Sequence, residues 1–590
     1  MARHTLSGTA VSSGISVGKA YLASGGQYCL TSVQNISEDH VPQEVDRLRS
    51  AFDSALSRLE QVRDRIPLQQ GEHAAMIDSH IMILRDPKLR EYTERYIRNM
   101  WLNAEWALEK GVADIEREFI GIDDEFFQVR MNEIKLLAQR VMDHLSNNSS
   151  VKPITSRVIL VAHDLTPADT VELDVSKIMA LVTTLGGKTS HVSIIARSLE
   201  IPAVVGVEGA ESQIRDNDFV IVDGFQGKVV IDPNEEELEY YTNLKYQQET
   251  YRREIMRERH LPGETRDGVR VKVMANIELF EEIRAVLEYS GEGVGLYRTE
   301  YSYLYKNRMP SERELAEEYS DLASMLHPQR VFIRTLDAGG DKIGKGFDSL
   351  EEANPVLGLR AIRFCLQHKD IFKTQLRAIL RASQNGNVSM MFPMISGLGE
   401  LREVKGLLEE SKQELREEGV SFDRDMPIGI MIELPSAVMV ADHLAREVDF
   451  FSIGTNDLIQ YSLGIDRTNK HVAHLYQPLH PALIRSIKYI VDSGHEAGIE
   501  VIMCGEMATD PYSLPVLLGM QVDSLSLNPQ SIPMIKKVLR LLNTEECRNL
   551  LARILQSDSA GDSNRIVRET ISRCFPQEMM SYFSVLENAS

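Results

Sequence analysis

The stretch that decides the fold runs from residue 428 to residue 455 and contains two short apolar runs, IGIMIE (Ile428–Glu433) and FFSIGT (Phe450–Thr455). The sixteen residues between them, LPSAVMVADHLAREVD, have a helical composition. A short continuous apolar run is typical of a strand that is buried on both faces, and a helix can return the chain to the start of the next parallel strand. The stretch therefore predicts a β-α-β unit with Glu433 at the tip of a strand.

The same alternation continues outward in both directions, so that apolar runs recur with helical segments between them over about 300 residues. The eight runs are Val271–Ile277, Gly293–Thr299, Val331–Asp337, Val388–Met394, Ile428–Glu433, Phe450–Thr455, Glu500–Glu506 and Ser524–Asn528. Eight β-α units predict a (β/α)8 TIM barrel, whose active site lies at the carboxyl ends of the strands. The polar residues predicted at those ends are Asn276, Arg298, Arg334, Glu433, Asn456, Asp457 and Cys504. Core packing does not explain such a set at one end of a barrel.

The N-terminal part of the chain has a different pattern. The first thirty residues indicate turns and a strand. From about Pro42 apolar residues follow each other at steps of three and four, which predicts helices to about His144, with interruptions near Pro67–Gly71, Asp86-Pro87 and Gly121–Asp124. This pattern fits either an ordinary helical subdomain or a docking surface for a partner. Runs at Val158–Ala162 and Ile178–Val182 predict a small α/β unit closed by a hairpin near residues 220–231, and a charged, Tyr-rich segment then predicts a linking helix.

Composition limits the class of protein. The chain has 590 residues and a formal net charge of −22, which argues against a general nucleic-acid binder because such a protein needs basic residues to neutralise phosphates. No stretch approaches the ~20 apolar residues of a membrane helix, and the N-terminus has no apolar signal-peptide core. Five scattered cysteines indicate neither a disulfide framework nor a zinc knuckle, so a reducing cytoplasm is the expected location.

A glycine-rich segment, GGKTSH (Gly186–His191), precedes an amphipathic run and predicts a tight turn followed by a helix with His191 in its first turn. A phosphate on that imidazole would face free backbone N–H groups and the positive end of the helix dipole. Arg197, one to two turns along, could reach the same oxygens. A capped helix with an ordinary surface histidine explains the motif equally well.

In the barrel, Arg298 and Arg334 are suited to bidentate binding of phosphate and carboxylate. Glu433 and Asp457 offer hard oxygen ligands appropriate to Mg²⁺. Cys504 is either a small buried hydrophobe, the commoner fate of a free cysteine, or an acid or base acting on a carbon centre. These residues fit a small phosphorylated carboxylate bound with Mg²⁺, and a separate histidine domain that takes its phosphoryl group.

Several motifs together resemble one family. They are, in order, Gly186–Arg197, GEGVGLYRTE (Gly291–Glu300), RTLDAGGDK (Arg334–Lys342), NPVLGLRAIR (Asn354–Arg363), FFSIGTNDL (Phe450–Leu458), LYQP (Leu475–Pro478) and MCGE (Met503–Glu506). In this combination and order the chain closely resembles, over nearly its full length, enzyme I of the bacterial phosphoenolpyruvate-dependent sugar phosphotransferase system. Lys188 stands where that family commonly has Arg, and Leu434 where Thr is frequent.

The resemblance implies a multidomain α/β chain with four parts. They are a phosphohistidine α/β domain (1–29 and 146–233), a helical HPr-docking subdomain inserted within it (30–145), a helical linker (234–262), and a phosphoenolpyruvate-binding TIM barrel that also forms a homodimer (263–590).

The resemblance also implies roles for particular residues. His191 takes the phosphoryl group from phosphoenolpyruvate and passes it to a histidine of the phosphocarrier protein HPr, with Thr170 and Arg197 supporting the phosphohistidine. The implied substrate-binding residues are Arg298, Arg334, Arg360, Lys342, Asn456 and Arg467. Glu433 and Asp457 become the Mg²⁺ ligands, and Cys504 becomes the acid that protonates the pyruvate enolate.

Two alternatives share much of this pattern. Pyruvate phosphate dikinase and phosphoenolpyruvate synthase resemble the same histidine domain and barrel, but they also need a nucleotide-binding domain. The residues before Val158 lack a Gly-rich phosphate loop, which favours protein docking over ATP. The other alternative is a regulatory phosphoprotein whose barrel only senses phosphoenolpyruvate, and the full set of polar residues at the strand ends argues against that loss of catalysis.

Overall fold

The computed structural model shows two compact units, Met1–Glu249 and Thr250–Met580. Each unit has its own hydrophobic core. The structure describes residues 4–23, 35–65, 71–119, 125–145, 154, 156–165, 175–187, 191–199, 201–304, 309–339, 354–467, 469 and 471–575. Among these residues, no helix combines the length and apolar character that crossing a membrane requires.

The first unit contains an eight-stranded mixed sheet in the order β1-β8-β7-β3-β4-β5-β6-β2. Its strands are β1 His4–Ser7, β2 Thr9–Ser12, β3 Ile15–Leu22, β4 Val158–Ala162, β5 Ile178–Thr183, β6 Ala203–Val205, β7 Phe219–Asp223 and β8 Lys228–Ile231. The predicted closing hairpin is confirmed, because β7 and β8 pair antiparallel with Val220 opposite Ile231. The predicted strands β4 and β5 pair in parallel at the centre of the sheet.

The two edge strands come from a segment that the sequence analysis treated as turns and one strand. In the structure, β1 pairs antiparallel with β8, and β2 pairs antiparallel with β6. Each is only four residues long, and each pairs with a strand about 200 residues away along the chain. Local periodicity cannot reveal such pairings.

The helical part of this unit consists of Val41–Arg65, Gly71–Arg85, Pro87–Met100, Ala104–Phe119 and Glu125–Leu145. The predicted interruption at Asp86-Pro87 is confirmed: the Asp86 carboxylate accepts a hydrogen bond from the backbone N–H of Lys88, and Pro87 opens the next helix. The predicted breaks at 67–71 and 121–124 fall largely outside the described residues.

One interruption is absent from the sequence prediction. The helix that begins at Pro87 ends at Met100, and Trp101 then adopts a left-handed conformation with φ of 53°. Leu102 forms an isolated bridge with Asn35, and a new helix begins at Ala104. Neither glycine nor proline marks this corner, so the usual sequence signal for a helix end is missing.

The second unit is a closed barrel of eight parallel strands. Its strands are β9 Lys272–Ile277, β10 Gly293–Arg298, β11 Arg330–Arg334, β12 Val388–Phe392, β13 Ile428–Ile432, β14 Phe450–Ile453, β15 Glu500–Met503 and β16 Ser524–Leu527. Parallel pairing of β16 with β9 closes the ring. All eight apolar runs therefore form strands in the predicted order, and the predicted TIM barrel is confirmed.

Helices follow the strands, as a parallel barrel requires. They are Ile283–Glu288, Glu300–Leu304, Glu312–Leu326, Ile362–Gln367, Lys369–Ala382, Leu398–Glu417, Pro435–Met439, Ala441–Leu444, Thr455–Leu463, Pro481–Ala497, Leu514–Met520, Ile532–Leu539, Thr544–Ile554 and Ala560–Cys574. The predicted linking segment forms the helix Glu235–Arg257. Just beyond its end, Glu258 accepts a hydrogen bond from Arg540 at 2.8 Å.

Alternate side chains from the strands fill the barrel interior. The buried cluster there comprises Met274, Leu296, Phe332, Met391, Met431, Phe450, Ile502 and Cys504. The rings of Phe332 and Phe450 meet edge to face with their centroids 4.9 Å apart. This apolar packing forms the floor of the space at the carboxyl ends of the strands.

Candidate active site

A cavity of about 350 Å³ opens at the carboxyl ends of the barrel strands. The strand register places the ends of neighbouring strands at the same level, with Arg298 opposite Arg334 and Ile432 opposite Ile453. Its lining includes eight of the candidates predicted from the sequence: Arg298, Arg334, Arg360, Glu433, Asn456, Asp457, Arg467 and Cys504. Lys342 lies outside the described residues.

Arg334 is held at the end of β11 by two carboxylates. Its guanidinium donates to Glu300 at 3.1 Å and pairs with Asp337 at 2.9 Å. The same Glu300 oxygen accepts the backbone N–H of Asp337 at 2.8 Å, which ties the three residues together. Burial lowers the pKa of Arg334, but the charges of Glu300 and Asp337 raise it by more, so the net shift is upward and the side chain stays cationic.

Asp337 also binds Arg360, whose Nη2 lies 2.9 Å and 3.1 Å from the two carboxylate oxygens. Arg360 approaches Asp457 as well, at 3.6 Å. Burial raises the pKa of Asp337, whose side chain is only 4% exposed, yet the charges of Arg334 and Arg360 outweigh this and hold the pKa below its usual range. Two arginines thus share one buried carboxylate, and positive charge remains available to an anion.

The two strand-end arginines retain unused donors. Arg298 pairs with Glu278 through one nitrogen, but its Nε is buried and has no hydrogen-bond partner among the described residues. The Nε of Arg334 is likewise buried and has no hydrogen-bond partner among the described residues. Buried donors without partners are uncommon, and they are expected where a ligand completes the hydrogen bonding. An anion with several oxygens fits this requirement.

Glu433 and Asp457 present carboxylates to the same cavity. One oxygen of Glu433 accepts the backbone N–H of Met394 at 2.7 Å. A Cβ at Gly454 would lie 2.8 Å from its other oxygen, so a glycine is needed at that position for close approach. Burial raises the pKa of Glu433 well above its ordinary value, and the nearby charges of Asp457 and Asp337 add to the effect.

This donor set suits a hard divalent cation. Within the described part of the chain, no group of three or more His, Cys, Asp or Glu side chains is arranged to hold a metal. Mg²⁺ is usually bound by only one or two carboxylates, with substrate oxygens and water completing its shell. Four acids line the cavity, and the two predicted ligands among them, Glu433 and Asp457, fit Mg²⁺ bound together with an anionic substrate.

Cys504 lies at the end of β15 and is 4% exposed. Its sulfur accepts a hydrogen bond from the Ser452 hydroxyl at 3.0 Å and lies 3.2 Å from the carbonyl oxygen of Ile453. Burial raises the pKa of the thiol to about 11, although the hydrogen bond from Ser452 lowers it in part. The thiol is therefore protonated at neutral pH and can act as an acid.

The outer rim of the cavity is polar. Asn456, in the first turn of the helix Thr455–Leu463, donates to Glu506 at 3.1 Å and accepts the backbone N–H of Glu506 at 3.0 Å. Arg467 approaches Glu506 at 3.7 Å. These contacts place an amide and a fourth arginine at the mouth, where they can meet the outer atoms of a bound substrate.

The other predicted site belongs to the first unit. The helix His191–Ser198 begins at His191, and the Ser193 hydroxyl donates to the carbonyl oxygen of Gly187 at 2.7 Å. Thr170 lies outside the described residues, and of His191 and Arg197 only the backbone is described. The helix start thus lies where the sequence places it, and the roles of these side chains remain predictions.

The sequence analysis missed three residues that build the barrel site. Asp337 and Glu300 hold Arg334, and Ser452 contacts Cys504. Both acids lie inside the motifs that carry the family resemblance, next to the arginines, so their position within RTLDAGGDK and GLYRTE was an available signal. Ser452, within FFSIGT, gave none, because a small polar residue in a strand has no local mark of function.

Comparison with known proteins defines the class. Three family models match in order: PEP-utilising enzyme, N-terminal, over residues 7–130; PEP-utilising enzyme, mobile domain, over 154–227; and PEP-utilising enzyme, PEP-binding domain, over 252–544. The parallel barrel with its arginine- and carboxylate-lined cavity lies in the last of these regions. The chain is therefore an enzyme of the phosphoenolpyruvate-utilising class, which is metal-dependent.

Curated relatives refine this class. The phosphoenolpyruvate-protein phosphotransferase of Listeria monocytogenes is 39% identical over 567 residues, covering 96% of this chain and 99% of the relative. That of Geobacillus stearothermophilus is 39% identical over 571 residues, covering 96% and 98%. That of Staphylococcus aureus is 38% identical over 551 residues, covering 93% and 96%. The chain belongs to the phosphoenolpyruvate-protein phosphotransferase family, which confirms the resemblance found in its motifs.

Proposed function

We propose that the chain transfers the phosphoryl group of phosphoenolpyruvate to His191, releases pyruvate, and passes the phosphoryl group to a histidine of the phosphocarrier protein HPr, which drives sugar uptake by the phosphotransferase system. The observation that carries this proposal is the meeting of four arginines with the carboxylates of Glu433 and Asp457 in one cavity of the barrel. Phosphoenolpyruvate has two anionic groups on a three-carbon skeleton, so it needs several cationic ligands within a small volume. The cavity of about 350 Å³ supplies them.

The arginines of the cavity make different contacts and are proposed to bind the substrate together. Arg298 and Arg334 each keep a buried Nε–H for an incoming oxygen, and Arg360 shares its charge between Asp337 and Asp457. Fixed guanidinium groups can orient the phosphate and carboxylate bidentately. Because the supporting carboxylates hold these groups before the substrate arrives, little reorganisation is needed when negative charge develops on oxygen. Asn456 and Arg467 are proposed to contact the substrate at the outer rim, and Lys342 is proposed to bind the substrate as well.

Glu433 and Asp457 are proposed to hold Mg²⁺ together with oxygens of the substrate. When bound, the ion supplies positive charge to the substrate oxygens as the phosphoryl group leaves. One carboxylate oxygen of Glu433 accepts the backbone N–H of Met394, which fixes the side chain and leaves its other oxygen for the ion. Removal of the metal with EDTA should stop phosphoryl transfer, and added Mg²⁺ should restore it.

Cys504 is proposed to supply the proton that converts the enolate of pyruvate to pyruvate. The thiol lines the cavity and is protonated at neutral pH, as a general acid must be before it acts. His191 is proposed to receive the phosphoryl group at the start of its helix, where free N–H groups favour an anion, supported by Thr170 and Arg197.

The proposal assigns partners to the two units. The helical subdomain at 30–145 is proposed to dock HPr, and it exposes large apolar side chains at Met82, Met100 and Trp101. The barrel is proposed to form the homodimer, and it exposes Leu357 and Met439. Exposed apolar groups of this kind are typical of interaction surfaces when they are clustered. A cytoplasmic location is proposed from the sequence, whose five scattered cysteines indicate no disulfide framework.

The test follows labelled phosphoenolpyruvate. The purified full chain with Mg²⁺ should retain an acid-labile, base-stable phosphoryl label and lose it to HPr when HPr is added. His191→Ala should take up no label but should still bind phosphoenolpyruvate. His163→Ala is a matched control, since His163 is a partly exposed histidine of the same unit that pairs with Glu211 at 2.9 Å. This control should label normally.

Two outcomes contradict the proposal. Acid-labile label on His191→Ala would remove this histidine from its role. Label that appears in ATP after AMP is added would instead support a reaction like that of phosphoenolpyruvate synthase.

A further inference from the structure

The barrel interior contains one hydroxyl that contacts the proposed proton donor. Ser452 lies in β14, is fully buried, and donates to the sulfur of Cys504 at 3.0 Å. Among the residues that the structure describes, this is the hydrogen bond that its side chain makes. A buried hydroxyl is costly unless it is bonded, and an alanine would fill nearly the same space. The serine therefore needs an explanation beyond packing.

The sulfur itself is fixed from several sides. Its own hydrogen points to the carbonyl oxygen of Ile453, 3.2 Å away, and the amide of Asn276 donates to the carbonyl oxygen of Cys504 at 3.0 Å. Rotation about the Cβ–Sγ bond moves only the thiol hydrogen. The hydrogen can therefore turn from the Ile453 carbonyl towards the cavity while the bond from Ser452 keeps the sulfur in place.

We propose that Ser452 is a positioning residue for the carbon-protonation step, acting through Cys504 by holding its sulfur and stabilising the thiolate that the step leaves behind. This inference rests on the function proposed above. In the step, the S–H bond of Cys504 breaks and its electron pair stays on sulfur. The proton bonds to the methylene carbon of the enolate through the enolate π electrons, and the carbonyl of pyruvate forms. Water then returns a proton to the sulfur.

The surroundings explain why a hydroxyl is needed for that thiolate. The sulfur belongs to an interior cluster whose other members are apolar: Met274, Leu296, Phe332, Met391, Met431, Phe450 and Ile502. Such surroundings disfavour an anion, and burial raises the pKa of this thiol. The charge of Glu433 raises the pKa further, while those of Arg334 and Arg298 lower it. An O–H group aimed at the sulfur is stronger towards the thiolate than towards the thiol, so it favours the product of proton transfer.

Deuterium incorporation into the methyl group of pyruvate measures this step without phosphoryl transfer. The full chain with Mg²⁺ and pyruvate in D₂O is followed by NMR across a range of pH. For Ser452→Ala, we expect exchange to fall about 10- to 100-fold at neutral pH, because a hydrogen bond to a charged group typically shifts an equilibrium by that factor. The rate–pH curve should also move to higher pH. Single-turnover labelling of His191 by phosphoenolpyruvate should fall much less than methyl exchange, because that step forms no thiolate.

The matched control is Ser389→Ala. Ser389 is also buried in a barrel strand, but its hydroxyl accepts from Arg330 at 3.3 Å rather than contacting the thiol. This variant should keep the wild-type pH curve. Ser452→Thr keeps a hydroxyl on the same carbon and should also keep the curve, which preserves the test if the alanine variant does not fold. A shifted curve for Ser452→Thr would contradict the proposal.

Measurements in a Cys504→Ala background distinguish the proposed role of Ser452 from the proposed role of Cys504. If Ser452 acts through the thiol, adding Ser452→Ala to Cys504→Ala should change methyl exchange no further. A further loss in the double variant, or wild-type exchange in Ser452→Ala alone, would overturn the inference about Ser452. Wild-type exchange in Cys504→Ala would instead overturn the proposed role of the cysteine.

Discussion

Replacement of Asp337 by asparagine tests whether the arginines of the cavity depend on this carboxylate. Asp337 pairs with Arg334 at 2.9 Å and with Arg360 at 2.9 Å, and its side chain is almost fully buried. Removing one partner of a buried ion pair leaves an uncompensated charge and costs about 3–5 kcal/mol. Asp337→Asn should therefore lower the free energy of unfolding of the barrel unit by about that amount, measured by calorimetry on the full chain.

The difference in the free energy of unfolding between wild type and Asp337→Asn should depend on pH with a defined sign. Because the pKa of Asp337 is lowered in the folded state, its charge contributes stability above the unfolded value of about 3.9, and this contribution is lost as the pH falls through the folded pKa. The difference between wild type and Asp337→Asn should thus be constant from about pH 5 to pH 8 and shrink in more acidic solution. A loss of less than about 1 kcal/mol at pH 7 would refute the assigned role, because breaking a buried pair costs more.

Asp510→Asn provides a control of opposite sign in the same unit. Asp510 is partly buried, and it accepts hydrogen bonds from the backbone N–H groups of Tyr512 and Ser513 and from the Ser513 hydroxyl. Burial raises the pKa of Asp510. Its ionisation therefore weakens the folded state, so the difference between wild type and Asp510→Asn should decrease as the pH rises past the unfolded value. Parallel pH trends in the two variants would contradict the argument.

Two further predictions concern the cavity and the division of the chain. Gly505→Ala should lower phosphoenolpyruvate turnover about 100-fold, because the added Cβ would displace the start of the adjacent helix. This Cβ would lie 1.7 Å from Thr455 Oγ1 and 2.7 Å from the Thr455 backbone nitrogen. The control Gly406→Ala, whose Cβ would lie in open space, should keep wild-type turnover. A fragment ending at Glu258 should fold and exchange phosphate reversibly with phospho-HPr, but a steady-state assay should detect no use of phosphoenolpyruvate, and turnover by the fragment alone would refute the assignment of substrate binding to the barrel.

The barrel was predictable because its signal is local and repeated. Each strand comes from a short apolar run, most of these runs end at or beside a polar residue, and parallel strands place those ends at one level. Arg298, Arg334, Glu433 and Cys504 could therefore be assigned to one cavity from the sequence alone, and the cavity contains them all.

The sequence could not show which acidic side chain pairs with which arginine. Asp337 is three residues from Arg334 and near it in any conformation, but its second partner, Arg360, lies 23 residues away. The contact of Ser452 with Cys504 spans 52 residues and depends on the pairing of β14 with β15. The edge strands β1 and β2 likewise depend on distant partners. Such pairings arise from tertiary packing rather than from local propensity.

The unmarked corner at Trp101 has an optical consequence. The chain contains two tryptophans, Trp101 and Trp106, and both lie in the helical part of the first unit. Trp101 is about half exposed at the left-handed turn, so its indole emission depends on what covers that turn. Tryptophan fluorescence, excited at a wavelength where tyrosine does not absorb, therefore reports on the helical part of the first unit. A carrier protein that docks there can be titrated without a label, while events inside the barrel have no indole to report them.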